Sequence, residues 1–188
     1  MGAVIKKEFW TVEKILRFVD EKIKRNAFYP WGLEEGASKR EVIDKMVDEA
    51  SNLGYNESVI NCVFNGYPLP NIVICRARLH PDGEFSEDIG DDVWVLCSGQ
   101  LVLDTLYAYR EGLTEDWGDK CHLDGDRFSY WNGESYQMMA YKASMGDKEA
   151  KKRFDDFNSC EIPFIRILEI DEVDDIFEIN EVLDCCAD

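Results

Sequence analysis

The stretch PLPNIVICRARL, residues 68–79, marks the point where the chain changes from a helical to an extended pattern. Pro68 and Pro70 end any preceding helix, because proline lacks the amide hydrogen and clashes with the turn before it. The run from Asn71 to Leu79 is rich in β-branched and apolar side chains and predicts a strand. Alternation assigns one face of this strand to four residues: Val73, Cys75, Ala77 and Leu79.

Before this strand, apolar residues recur every three or four positions, which predicts helices. The first helix covers residues 11–25. Ser38, followed three residues later by Glu41, forms a capping box and predicts the start of a second helix, which Gly54 ends. A short third helix is predicted over residues 57–64.

After the strand, the apolar run 93–97 predicts a second strand, and residues 98–110 fit either a hairpin or a helix. The spacing of the leucines in 98–110 favours the helix. Asn132-Gly133 is a strong turn signal and predicts a hairpin. Its two strands would be residues 127–131 and 136–141. A charged helix, a strand and a final helix are predicted over residues 147–157, 162–170 and 171–184.

Together these elements predict an α+β fold in one compact domain spanning residues 1–188. The sheet is expected to be antiparallel or mixed, with helices at the N-terminus and an acidic helix at the C-terminus.

The composition disfavours two classes of partner. The chain has 188 residues, with 39 acidic and 21 basic side chains and a formal net charge of -18. Direct binding of nucleic acid is disfavoured because it needs a basic surface to displace counterions from phosphates. An anionic membrane surface is disfavoured for the same reason. No apolar window is long enough for a signal peptide or a membrane span, which predicts a cytoplasmic protein.

The negative charge is concentrated in two blocks. Residues 82–126 hold thirteen acids and two bases, and residues 167–188 hold nine acids and no base. Over the predicted helix 171–184, seven carboxylates in ~21 Å give roughly one charge per 3 Å, close to the ~3.4 Å spacing of phosphates along one DNA strand. We therefore expect the two blocks to contact a basic partner. The predicted contact residues are Glu87, Asp88, Asp91, Asp92, Asp174, Asp175, Glu178 and Glu181.

Aromatic residues in or beside predicted turns are expected mostly to belong to small satellite parts of the core. Any that are exposed would be natural interface anchors, because Trp and Tyr carry much of the energy at binding hot spots. Residues 26–36, which we predict to be a loop, contain three of them. The full set is Phe28, Tyr29, Trp31, Tyr130 and Trp131.

Motifs for catalysis are missing from the sequence. The seven cysteines include no pair at the two-residue spacing of zinc or redox motifs, and no glycine-rich loop is followed by the lysine that phosphate binding needs. We predict no cofactor, no bound metal and no catalytic residue. The best alternative is a small metal-dependent hydrolase built around Asp119–Asp126, where Asp124 and Asp126 flank a glycine.

In size and charge the whole chain resembles the phage- or plasmid-encoded DNA mimics that block CRISPR nucleases or restriction enzymes, and also toxin-neutralising immunity proteins. No motif contributes to this resemblance. It implies a non-enzymatic inhibitor that places carboxylates in the basic cleft of a nuclease or another nucleic-acid-binding protein. A phage-encoded protein of this kind would act in the host cytoplasm.

Overall fold

A computed structural model describes residues 4–25, 27–29, 38–50, 55–77, 93–111 and 134–169. These residues form six helices and a mixed five-stranded sheet, which confirms the predicted α+β class. The strands are β1 (Val4–Thr11), β2 (Phe28–Tyr29), β3 (Ile72–Ala77), β4 (Val93–Ser98) and β5 (Glu161–Glu169). The helices are α1 (Val12–Lys24), α2 (Lys39–Ala50), α3 (Tyr55–Asn65), α4 (Gln100–Glu111), α5 (Tyr136–Ser144) and α6 (Lys148–Ser159).

The strand order is β1-β5-β3-β4-β2, so the last described strand lies between the first and the third. β5 runs antiparallel to β1 and parallel to β3, β4 is antiparallel to β3, and β2 is parallel to β4. The parallel pairing of β3 with β5 needs a long crossover, which includes β4 and the helices α4, α5 and α6.

The main core lies between the helices and one face of the sheet. The stripe predicted for α1 is buried in full: Val12, Ile15, Leu16, Val19 and Ile23. On the sheet, Ile72 and Ile74 of β3 face these helices, and Trp10 of β1 stacks on Phe164 with ring centroids 4.2 Å apart. The capping box of α2 is also confirmed, since the Ser38 amide donates to Glu41 Oε2 at 2.6 Å.

The face of β3 that alternation assigns to Val73 and Cys75 lies away from the main core. Val73 and Cys75 are buried, but they belong to a second, smaller cluster on the other face of the sheet, with Ile165 and Ile167 of β5. Both faces of β3 are therefore buried, as is typical of a central strand with a parallel neighbour. A continuous apolar run such as IVIC does not show by alternation which face is inside.

Two predictions differ from the structure, and one strand was not predicted. Residues 136–141 belong to helix α5, not to a hairpin strand, because Ser135 caps the helix by accepting from the Met138 amide at 3.2 Å. In the predicted loop 26–36, Phe28 and Tyr29 form β2 instead, and Phe28 is buried in the core. β1 was not predicted, because most of its side chains are exposed and show no apolar alternation.

The predicted helix over 98–110 is confirmed as α4, and its first turn depends on Gly99. Gly99 has φ +79°, and a Cβ atom there would lie 2.5 Å from the Asn71 carbonyl oxygen. The close approach joins the start of α4 to the start of β3. Residues 127–133 and 171–184, the other strand of the predicted hairpin and the predicted final helix, lie outside the described residues.

Glu134 links the residues before α5 to the two helices that follow. Its carboxylate lies 2.6 Å from Lys142 Nζ and 2.7 Å from Arg153 Nη2, with only 8% of the side chain exposed. Burial alone would raise the pKa of Glu134, but the hydrogen bonds from Lys142 and Arg153 outweigh it and hold the pKa below its usual value. The carbonyl of Glu134 accepts from the buried Tyr109 hydroxyl at 2.6 Å.

We predict that Gly99→Ala lowers the free energy of unfolding by at least about 2 kcal/mol, because left-handed backbone strain adds to the clash with Asn71. Gly146→Ala is the matched control, since Gly146 also has positive φ but has open space around its Cβ position. Its cost should be about 1 kcal/mol. Urea denaturation measures both, and equal losses would show that the clash at Gly99 is relieved without cost.

We predict that Glu134→Gln costs about 1–3 kcal/mol of unfolding free energy at pH 7. Because the folded pKa of Glu134 is lowered, its stabilisation is present above the unfolded pKa and is lost as pH falls through the folded value. The difference between the variant and the native chain should therefore shrink below about pH 4. Glu13→Gln, in an exposed pair with Arg17, should cost under about 0.5 kcal/mol. A difference for Glu134→Gln that persists unchanged at pH 3 would contradict this.

Candidate functional site

The predicted contact residues all follow strand ends of the described sheet. Glu87, Asp88, Asp91 and Asp92 lie in residues 78–92, and the other four lie in residues 170–188. All eight are outside the described residues, as are Asp119–Asp126 of the alternative metal site. The structure does describe the positions from which residues 78–92 and 170–188 leave the sheet. We call residues 78–92 the first acidic segment and residues 170–188 the second acidic segment.

Both acidic segments begin at the same end of the sheet, where the neighbouring strands β3 and β5 finish. β3 and β5 are parallel and in register from Ile72 with Phe164 to Cys75 with Ile167. Two residues further along, β3 ends at Ala77 and β5 ends at Glu169. Neighbouring strands lie about 4.8 Å apart, so the two segments start from adjacent positions. Val93, where the first acidic segment rejoins the sheet, pairs with Ala77. We call this end of the sheet the acidic edge and define it by the strand-end residues Ala77, Val93 and Glu169.

The charges divide sharply between the described scaffold and the rest of the chain. The described residues hold 18 acidic and 18 basic side chains, so their formal net charge is zero. The first acidic segment holds six acids and one arginine, and the second holds eight acids and no base. The whole net charge of -18 therefore comes from residues outside the described scaffold, and most of it from these two segments.

Within the scaffold, many acids have a nearby basic partner. Exposed pairs at i,i+4 spacing follow the helices, with Arg17 3.1 Å from Glu13, Arg25 3.1 Å from Glu21 and Lys151 2.9 Å from Asp155. Such pairs stabilise a helix by only a few tenths of a kcal/mol, but they cancel its field at a distance. The acidic segments have no comparable supply of bases in their own sequence.

A cleft of about 520 Å³ lies between α1, the end of α4 and α6. One of its two basic groups, Arg110, donates to Asp20 Oδ1 at 2.8 Å and also to Glu111. Burial alone would lower the pKa of Arg110, but these carboxylates raise it above its usual value. The Tyr136 hydroxyl and the Asn158 side chain, also in the cleft, lie 3.3 Å apart and bond to each other. The groups of this cleft satisfy one another rather than converging on an empty position.

The described cysteines differ in the pKa shifts of their thiols. Cys75 and Cys97 lie on neighbouring strands. The hydrogen bond between their side chains lowers the pKa of Cys75, whereas the same bond together with burial raises the pKa of Cys97. Burial also raises the pKa of Cys160, which keeps its thiol protonated. Both histidines, His80 and His122, lie outside the described residues. A protonated, buried thiol is a weak nucleophile.

The described ranges contain neither a cluster suited to a metal ion nor a helix suited to a membrane span. Within them, no group of three or more His, Cys, Asp or Glu side chains is placed to hold a metal ion. None of the helices in these ranges combines the length and the apolar character needed to cross a bilayer.

The sequence predicted the acidic blocks but not their shared origin at one edge, which depends on the parallel β3–β5 pairing. The chain matches no protein-family model, no curated protein and no solved structure at a significant level. Function must therefore be inferred from the chain's own residues: a scaffold of zero net charge and two acidic segments that begin at one edge of its sheet.

Proposed function

We propose that the protein is a non-enzymatic inhibitor that occupies the basic nucleic-acid-binding cleft of a nuclease or another DNA- or RNA-binding protein. Its carboxylates would take the place of phosphates in that cleft. The observation that carries the proposal is the start of both acidic segments at one edge of the sheet, from the adjacent strands β3 and β5. Together the two segments contribute fourteen acids and one arginine.

The charge distribution favours a basic protein as the partner. A scaffold of zero net charge adds little to the long-range field, so most of that field comes from the two acidic segments. A basic cleft that holds phosphates attracts clustered carboxylates. This attraction accelerates association of the two proteins, most strongly at low salt. Nucleic acid itself carries the same sign of charge and is repelled.

The proposed setting is the cytoplasm, where nucleases that act on invading or cellular nucleic acid meet their substrates. An inhibitor of this class would serve counter-defence, such as anti-CRISPR or anti-restriction activity of a phage or plasmid, or immunity to a toxin. It would need no cofactor, because inhibition requires only occupation of the cleft.

We predict that neutralising either acidic segment weakens binding to the partner at least about tenfold, a loss of about 1.4 kcal/mol. One variant carries Glu87→Gln, Asp88→Asn, Asp91→Asn and Asp92→Asn. The other carries Asp174→Asn, Asp175→Asn, Glu178→Gln and Glu181→Gln. The partner is first captured from the native host and identified, and the chain is then titrated against that purified protein in competition with labelled duplex DNA.

A matched control removes the same number of charges from the scaffold. Four exposed acids of helical ion pairs are changed to amides: Glu13, Glu21, Asp44 and Asp155. Each of the three variants has a net charge of about -14 at neutral pH. We expect the control to bind within about twofold of the native chain, since its acids are distant in sequence from both acidic segments. Equal losses in all three variants would show that only total charge matters. Unchanged binding in both segment variants would refute phosphate mimicry.

A further inference from the structure

A second surface lies at the opposite edge of the sheet from the acidic edge. It is a groove of about 540 Å³, bordered by the end of β1, the start of β5 and the connection from α3 to β3. Its two prominent side chains are Phe9, which is 69% exposed, and Tyr67, which is 58% exposed. Pro163 pairs with Phe9 across β1 and β5 and extends the apolar surface. Exposed aromatic side chains around a groove are typical of interaction sites.

The backbone that carries Tyr67 is held in place. α3 ends at Asn65, and Gly66 has φ +69°, a left-handed conformation that glycine adopts without strain. The Tyr67 amide donates to the Cys62 carbonyl at 2.9 Å, which closes the turn. Leu69 is buried two residues further along. The position of Tyr67 is therefore set before any partner arrives, which lowers the entropic cost of binding.

The charged side chains of the groove are acidic and favour a basic partner. Among the described residues that line it, the charged side chains are Asp156 and Glu161, both carboxylates. Asp156 lies 4.0 Å from Lys152, at the limit of an ion pair, and Glu161 is exposed beside Cys160. A lysine or arginine of a partner could pair with Glu161 while an apolar side chain lies against Phe9 and Tyr67. The face of Tyr67 also attracts a cation.

We propose that this groove binds a short segment of a partner protein that carries an apolar side chain next to a lysine or arginine. Burial raises the pKa of the Cys160 thiol, which also lines the groove. The inference does not rest on the proposed inhibition at the acidic edge. The two surfaces use different residues and lie at opposite ends of the same strands.

The test is an unbiased selection of displayed peptides on the whole chain, followed by titration of the most enriched peptide, labelled with fluorescein. We expect enriched peptides to share an apolar residue beside Lys or Arg. We expect at least about tenfold weaker binding of the peptide in each of three variants: Phe9→Ser, Tyr67→Ser and Glu161→Lys. Tyr141→Ser is the matched control, because Tyr141 is 61% exposed on α5 and does not line the groove. It should bind within about twofold of the native chain. Circular dichroism melting confirms that each variant is folded.

A basic peptide could also be attracted to the acidic segments, and the design separates the two cases. The variants of the first and second acidic segments should bind the peptide as the native chain does. The proposal is overturned if those variants lose the peptide while Phe9→Ser keeps it, or if no peptide with this pattern is enriched. It is also overturned if sedimentation shows a dimer that Phe9→Ser dissociates, because the occupant would then be a second copy of the chain.

Discussion

The placement of β5 between β1 and β3 is the constraint on which the rest of the structure depends. Its antiparallel pairing with β1 joins the two ends of the described chain, and its parallel pairing with β3 requires the crossover through β4 and three helices. The same pairing places the end of β5 next to the end of β3. Residues separated by about ninety positions in sequence therefore leave the sheet side by side.

Local signals in the sequence predicted the helices whose ends and buried stripes are encoded within a few residues. The stripe of α1 and the capping box at Ser38 are of this kind, since their interactions lie within one or two turns. β2 is two residues long and exists only through its pairing with Trp94 and Val95, more than sixty positions away. The prediction of a hairpin at Asn132-Gly133 was wrong for residues 136–141. The cap at Ser135 and the helix-forming residues after it favour α5.

The candidate sites could be predicted to different degrees for a related reason. The charge of a stretch of sequence can be counted whatever the fold is, so the acidic blocks and their lack of bases could be predicted directly. Their common origin is a property of strand order, which no local pattern contains. Nor could the groove be predicted, because Phe9 and Tyr67 are ordinary core residue types and only the tertiary structure leaves them exposed. Phe28, which follows the first helix in a predicted loop, is buried, because it pairs with β4 as part of β2.

The separation of charge between scaffold and segments has a physical advantage for a protein of the proposed function. Like charges brought together raise the free energy of a folded chain, and a binding surface that imitates phosphates must accept that cost. Here the described residues, which include the helices and strands that form the core, carry equal numbers of acids and bases, paired in many places at short distance. The main core is therefore built from elements that do not repel one another as a whole. The acids that the proposal assigns to recognition lie in sequence outside those elements. A second contact surface at the opposite edge, neutral except for two carboxylates, would add specificity that charge alone cannot supply.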